Sequence, residues 1–228
     1  MNTENVNIYN LIILDESGSM SSIYGQALSG MNETIQTILD TQKKHPEQKN
    51  FISIVTFSGG GMEGVRVRRD RVPAEKVSEM SRRDYCPSGC TPLYDAMGKS
   101  ISELEDVLLP DDQVLVTIIT DGYENSSCEY NASSIKALVG RMREKGWTFV
   151  YIGANQDSIE VAKNMNIANA MNFEASPEGA EKMSARYKKC RENYSDHVDY
   201  CMSSNADAGD MKGFFGILDK LFKDNEQI

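Results

Sequence analysis

The sequence predicts an α/β domain: a doubly wound, mostly parallel sheet with one antiparallel edge strand and helices on both faces. Three observations carry this expectation. Short apolar runs rich in branched and aromatic residues alternate with longer stretches whose apolar residues recur at spacings of three and four. The short runs are nearly continuous rather than alternating, the pattern of strands buried on both faces. One run, Val65-Arg66-Val67-Arg68, alternates apolar and cationic residues instead and suits an edge strand with one wet face.

Ile8 to Leu14 is the first strand. Tyr24, Leu28, Met31, Ile35, Ile38 and Leu39 mark one face of the first helix. Phe51 to Phe57 is the second strand, and the turn Gly59-Gly60-Gly61 sends Val65 to Arg68 back antiparallel along it. Leu93, Met97, Ile101, Leu104 and Leu108 outline the next helix, followed by the strand Val114 to Thr120. Ile135, Leu138, Val139 and Met142 repeat the helical pattern up to a stop at Gly146, and Thr148 to Ile152 is another strand. Ala170 to Phe173 and Pro177 to about Tyr194 give a last strand and helix. Residues 1–204 are expected to form the domain. Residues 205–228 are read as a small polar linker, Asn205 to Gly209, and an amphipathic helix carrying Met211, Phe214, Phe215, Leu218, Leu221 and Phe222. That stripe is expected to dock on its own domain, with a partner or self-association surface as the alternative.

Composition narrows the function. With 40% hydrophobic and 25% charged residues in 228, the chain is ordinary for a globular protein and long enough to bury a core without disulfides. A formal net charge of −10 argues against a nucleic-acid platform, which needs clustered cations. The longest apolar run is too short to cross a bilayer, and Met1 to Asn10 lacks the basic start of a signal peptide. Five cysteines, an odd number, do not form a disulfide framework, so a cytoplasmic protein with reduced thiols is expected. Nothing in the pattern specifies an oligomeric state.

The chemistry concentrates at strand ends. Asp15, Ser17 and Ser19 follow the first strand at alternate positions, with Gly18 permitting a tight turn. Thr91 precedes a helix and Asp121 ends the strand Val114 to Thr120. Ligands of open α/β sheets bind outside the carboxyl ends of the strands, where strand order reverses, so these three loops should converge. Hydroxyls with a few carboxylates are the donors that a hard divalent cation such as Mg²⁺ takes while keeping some of its water. Asp-x-Ser-Gly-Ser alone would serve equally well as a turn that caps the next helix.

Taken together, Asp15-x-Ser17-x-Ser19, Thr91 and Asp121-Gly122 resemble the metal-ion-dependent adhesion site of von Willebrand factor A (VWA) domains. The words Thr91-Pro92-Leu93-Tyr94-Asp95-Ala96 and Thr120-Asp121-Gly122 are similar to those of bacterial stand-alone members. The likeness runs over roughly residues 6 to 195 by element order. It implies a Rossmann-like fold and a metal centre for Mg²⁺, with Mn²⁺ or Ca²⁺ as alternatives. It also implies direct coordination by Ser17, Ser19 and Thr91, and contacts through water or hydrogen bonds by Asp15 and Asp121. The open position would go to an acidic residue of a protein partner, making the chain a binding module and not an enzyme. A metal-dependent hydrolase using the same strand ends, and a structural subunit without metal function, remain the other classes.

Competing motifs fail on context. Gly59-Gly60-Gly61-Met62-Glu63-Gly64 fits a dinucleotide fingerprint formally, but a strand follows where a helix is needed. Gly98-Lys99-Ser100 lacks the upstream glycine of a phosphate loop and falls in mid-helix. Ser17 lacks a nucleophile elbow, and His45, in a polar stretch, is expected to be solvated. Cys86, Cys90 and Cys128 should lie in loops near Thr91 and Asp121. Reduced thiols are the expectation there, with a redox pair or a zinc site as alternatives. Arg66, Arg68, Arg69 and Arg71, with Arg82 and Arg83, form the one cationic cluster. It reads as a solvated edge that resists aggregation or as a docking patch for an acidic partner.

Overall fold

Branched and aromatic residues fill the central strands from both sides, and this fixes where everything else packs. The computed structural model describes residues 5–154, 158–174 and 176–203. The expected linker and helix at 205–228 lie outside the described residues. Six strands form one sheet: β1 (Val6–Asp15), β2 (Gln48–Phe57), β3 (Val65–Pro73), β4 (Gln113–Thr120), β5 (Thr148–Ala154) and β6 (Asn169–Phe173). Their order is β3-β2-β1-β4-β5-β6, every pairing parallel except β2 with β3. The doubly wound sheet with one antiparallel edge is therefore present, and the Gly59–Gly61 turn does fold β3 back on β2.

Alternate residues of each strand face opposite layers. Ile8, Ile12, Leu14, Ile52 and Ile54 pack under α1 (Tyr24–Lys44) and α5 (Pro177–Ser203). Leu11, Ile13, Val55, Phe57 and Val116 pack against α2 (Leu93–Glu105), α3 (Ala132–Glu144) and α4 (Ser158–Asn164). Four departures from the sequence reading have local causes. A 3-10 turn, Gly18–Ile23, precedes α1. The second helix stops at Glu105, ahead of Leu108. The seven-residue α4 is too short to show a period. The last helix runs nine residues past Tyr194, because Val198 and Cys201 continue its buried face. Among the described residues, no helix is long and apolar enough to cross a membrane.

A polar seam runs between α5 and the sheet. Arg191, 1% exposed, donates from Nη1 to Asn10 Oδ1 at 2.6 Å and from Nη2 to Asn50 Oδ1. Its guanidinium carbon lies 5.4 Å from the Tyr194 ring centre, within cation–π range. Gln48 donates to the Ser195 carbonyl at 2.7 Å and to Asp199 Oδ1 at 2.5 Å. His45 Nδ1 lies 2.5 Å from Asp199 Oδ2, and the side chain is only 12% exposed. The expectation that His45 is solvated is thus corrected. The chain turns there from α1 into β2, and the end of α5 closes over it. His45, Glu47 and Asp199 are also, among the described residues, the only cluster of three or more His, Cys, Asp or Glu close enough to share a metal ion. Cys86, Cys90 and Cys128 are free and exposed, and they form no such cluster.

Candidate metal centre

Reversal of strand order places the carboxyl ends of β1 and β4 side by side, and both ends carry an aspartate. Asp15 ends β1 and is fully buried. Its Oδ1 accepts the Ser17 N–H at 2.7 Å and its Oδ2 accepts the Thr120 hydroxyl at 2.5 Å. Ser17 and Ser19 put their Oγ atoms 3.1 Å apart, and Ser19 donates to Asp121 Oδ1 at 2.6 Å. Gly122 shows how tightly the set converges. A Cβ on it would lie 3.3 Å from Thr91 Oγ1, 3.4 Å from Ser19 Oγ and 3.7 Å from Asp15 Oδ2. The structure thus brings Asp15, Ser17, Ser19, Thr91 and Asp121 together from three loops.

Neighbouring groups hold those loops. Thr91 N–H donates to Asn125 Oδ1 at 2.8 Å, and Asn125 N–H returns a bond to the Thr91 carbonyl at 3.1 Å. Glu124 accepts the Tyr94 N–H in the first turn of α2 at 2.9 Å, and the N–H groups of Ser126 and Ser127 at 2.7 Å each. A carboxylate at a helix start is favourably placed against the dipole. Asp95, buried, accepts the N–H groups of Cys128, Glu129 and Tyr130 at 2.8–2.9 Å. Tyr85 donates its hydroxyl to the Asp15 carbonyl at 2.9 Å, and Gly18 N–H donates to Gly89 O at 3.0 Å. The sequence reading missed Thr120, Glu124, Asn125, Asp95 and Tyr85. Thr120 and Asp95 had a signal, since both fall inside the words that carry the resemblance, Thr120-Asp121-Gly122 and Thr91 to Ala96. The others are common residue types whose partners lie across loops.

The electrostatics are those of an anionic site withdrawn from water. Burial pushes the Asp15 carboxyl up to about 6, against the hydrogen bonds from Thr120 and Ser17, and the Asp121 charge adds to the rise. Burial also raises Asp121, opposed by its bond to Ser19. Two carboxylates and three hydroxyls converging beside Gly122 fit a hard divalent cation, which prefers oxygen ligands. No thiol or imidazole enters this set, so a soft metal has no comparable fit.

Solved structures share this arrangement of strands. The chain superposes on a von Willebrand factor type A protein from Catenulispora acidiphila with a TM-score of 0.52 and 15% identity over 82% of its length. The VWA domain of SpRpn10 matches 78% of the chain with a TM-score of 0.57 and 15% identity. The chain has the von Willebrand factor A fold. The pilus adhesin SpaC from Lactobacillus rhamnosus GG matches 84% of it with a TM-score of 0.63 and 13% identity. The chain covers 94% of the SpRpn10 domain but only 42% of the Catenulispora chain and 31% of the adhesin, so these two contain much besides the shared VWA fold. No family model and no curated protein matches the sequence.

Proposed function

We propose that this VWA-fold chain is a protein-binding module in which a divalent cation, Mg²⁺ or its close substitutes, bridges the five-residue site to an acidic side chain of a partner. The observation that carries this is the gap beside Gly122, bounded by Thr91, Ser19 and Asp15 oxygens within 3.7 Å of where a side chain would begin. Ser17, Ser19 and Thr91 would hold the cation, and Asp15 and Asp121 would balance its charge. One structural relative, SpaC, is a pilus adhesin, which agrees with a binding role. His45 gives no support to a hydrolase. It is engaged with Asp199, on the side where β2 begins, whereas the site lies where β1 and β4 end.

Gly122→Ala tests the gap without deleting a donor. The added methyl would lie 3.3–3.7 Å from the Thr91, Ser19 and Asp15 oxygens, so the Thr91 hydroxyl must give by a few tenths of an ångström, and the methyl stands where a cation would be held. Calorimetric titration with Mg²⁺ should show affinity reduced at least ~10-fold, a difference of about 1.4 kcal/mol, with little change in the metal-free melting temperature. Unchanged affinity would place any cation elsewhere.

Acidity supplies a second test. A proton on Asp15 competes with the cation, so Mg²⁺ affinity should fall as pH drops through about 6, well above an ordinary aspartate's range. In the metal-free protein the sign is opposite to that of a salt-bridged aspartate. A folded-state value raised from 3.8 to about 6 means that this contribution to stability is complete below 3.8 and lost as pH rises through about 6. The loss amounts to about 3 kcal/mol. Added Mg²⁺ should restore the neutral-pH melting temperature. A metal titration flat between pH 5 and 7 would refute the coupling.

A further inference from the structure

Residues 65–85 carry seven cations and four anions, a net +3 within a chain of net −10. They form β3, the edge of the sheet, and the turn that follows it. This strip joins the candidate metal centre through one residue. Glu16, between Asp15 and Ser17, is buried, and Arg68 Nη2 binds both its carboxylate oxygens at 3.0 and 2.8 Å. The Cys86 N–H donates to it at 2.7 Å. Arg68 is therefore structural. Arg66 donates to Ser58 Oγ at 2.9 Å and reaches Glu16 Oε2 at 3.5 Å, and it keeps a side chain 47% exposed. Arg82 and Arg83 are exposed on the turn. The turn folds against the strand, with Arg69 Nη2 donating to Ser78 Oγ at 3.4 Å, and the Arg69 and Arg68 charges help the Ser81 hydrogen bonds hold Asp84 low.

We propose that the arginine strip formed by Arg66, Arg69, Arg82 and Arg83 docks an acidic polypeptide segment of the partner whose carboxylate completes the metal site. The proposal rests on the metal-bridged reading and names the partner's chemistry: a run of Asp or Glu, with one at the cation and its neighbours along the strip. A solvated edge needs charge of either sign, whereas this one gathers cations in a chain that is otherwise net −13. That contrast orients an acidic partner toward the site and away from the remainder of the surface. The rest of the chain, net −13, repels a long polyanion, which favours a short acidic peptide over nucleic acid.

Anisotropy of two labelled peptides on the full chain in Mg²⁺ tests the idea: a short oligoglutamate, and a Gly-Ser peptide with a single glutamate. The oligoglutamate should bind roughly tenfold more tightly, as three solvent-screened ion pairs provide, and added salt should erase the advantage. The triple variant Arg69→Glu, Arg82→Glu, Arg83→Glu should abolish that advantage and leave single-glutamate binding unchanged. The Gln triple stands in should the charge reversal impair folding. Equal affinities for both peptides, no binding of either, or an advantage that survives both triples overturns the strip. A single-stranded oligonucleotide that binds more tightly than oligoglutamate on the same arginines overturns the assignment to a peptide. Arginine-dependent binding that ignores chelator supports the strip and refutes the metal bridge, whereas chelator-sensitive binding indifferent to the arginines does the reverse.

Discussion

Asp121→Ala is expected to abolish Mg²⁺ binding in calorimetry while the metal-free protein melts at the same temperature or higher. Asp121 is one of only two carboxylates in the cluster, and its removal halves the negative charge available to a dication. Two ligand-range contacts are disturbed at once, because Ser19 loses the acceptor 2.6 Å away that orients its hydroxyl. The fold has little to lose. Asp121 lies just past the end of β4 at the crevice, outside both apolar clusters, and its charge raises the already unfavourable ionisation of Asp15. Relief of that repulsion stabilises the apo state. Retained Mg²⁺ affinity in the variant would remove Asp121 from the metal assignment. A large fall in melting temperature would show instead that its bond to Ser19 is a structural one.

Arg191→Ala should produce the largest loss of stability, about 2–5 kcal/mol as for other large buried side chains truncated to alanine, read as a lowered midpoint in chemical denaturation. The side chain is buried between α5 and the sheet, and its removal leaves a cavity beside the Tyr194 ring. Truncation also strands the acceptors it satisfies, Asn10 Oδ1 and Asn50 Oδ1, of which Asn50 keeps one donor, Asn10 Nδ2 at 3.1 Å. Leaving buried polar atoms unpaired costs more than the bond itself contributes. Mg²⁺ affinity should be unchanged in whatever fraction stays folded, because Asn10 and Asn50 lie in the first half of β1 and near the start of β2, away from the strand ends that carry the site. A shift below about 1 kcal/mol would mean that water replaces the guanidinium without loss.

Arg191 also marks where sequence reading stops. An arginine in an amphipathic helix with many charged neighbours looks like a solvated one, since long cations are rarely buried. Its burial depends on Asn10 and Asn50, which are 181 and 141 residues away and lie on two strands. His45 was misread for the same reason: the carboxylate that engages it, Asp199, is 154 residues further on. Glu16 looked like a spacer in the Asp-x-Ser word, yet it anchors Arg68 from inside the fold. In each case the local sequence shows a polar residue, and only the partner decides whether it meets water or protein.

The alternation of buried strands and amphipathic helices, the antiparallel edge and the identity of the five oxygen-bearing residues were determined by the sequence by itself. Periodicity is local, and a strand's ends are visible where apolar runs stop. Strand order then carried Asp15 and Asp121 to one crevice, as a doubly wound sheet requires. Tertiary structure alone decided how the donors are held: the Asn125 clamp on Thr91, the Glu124 and Asp95 carboxylates that gather the loop after β4, and the gap beside Gly122. These depend on hydrogen bonds between loops, each a few ångströms long and directional, whose partners no periodic pattern in a linear chain announces.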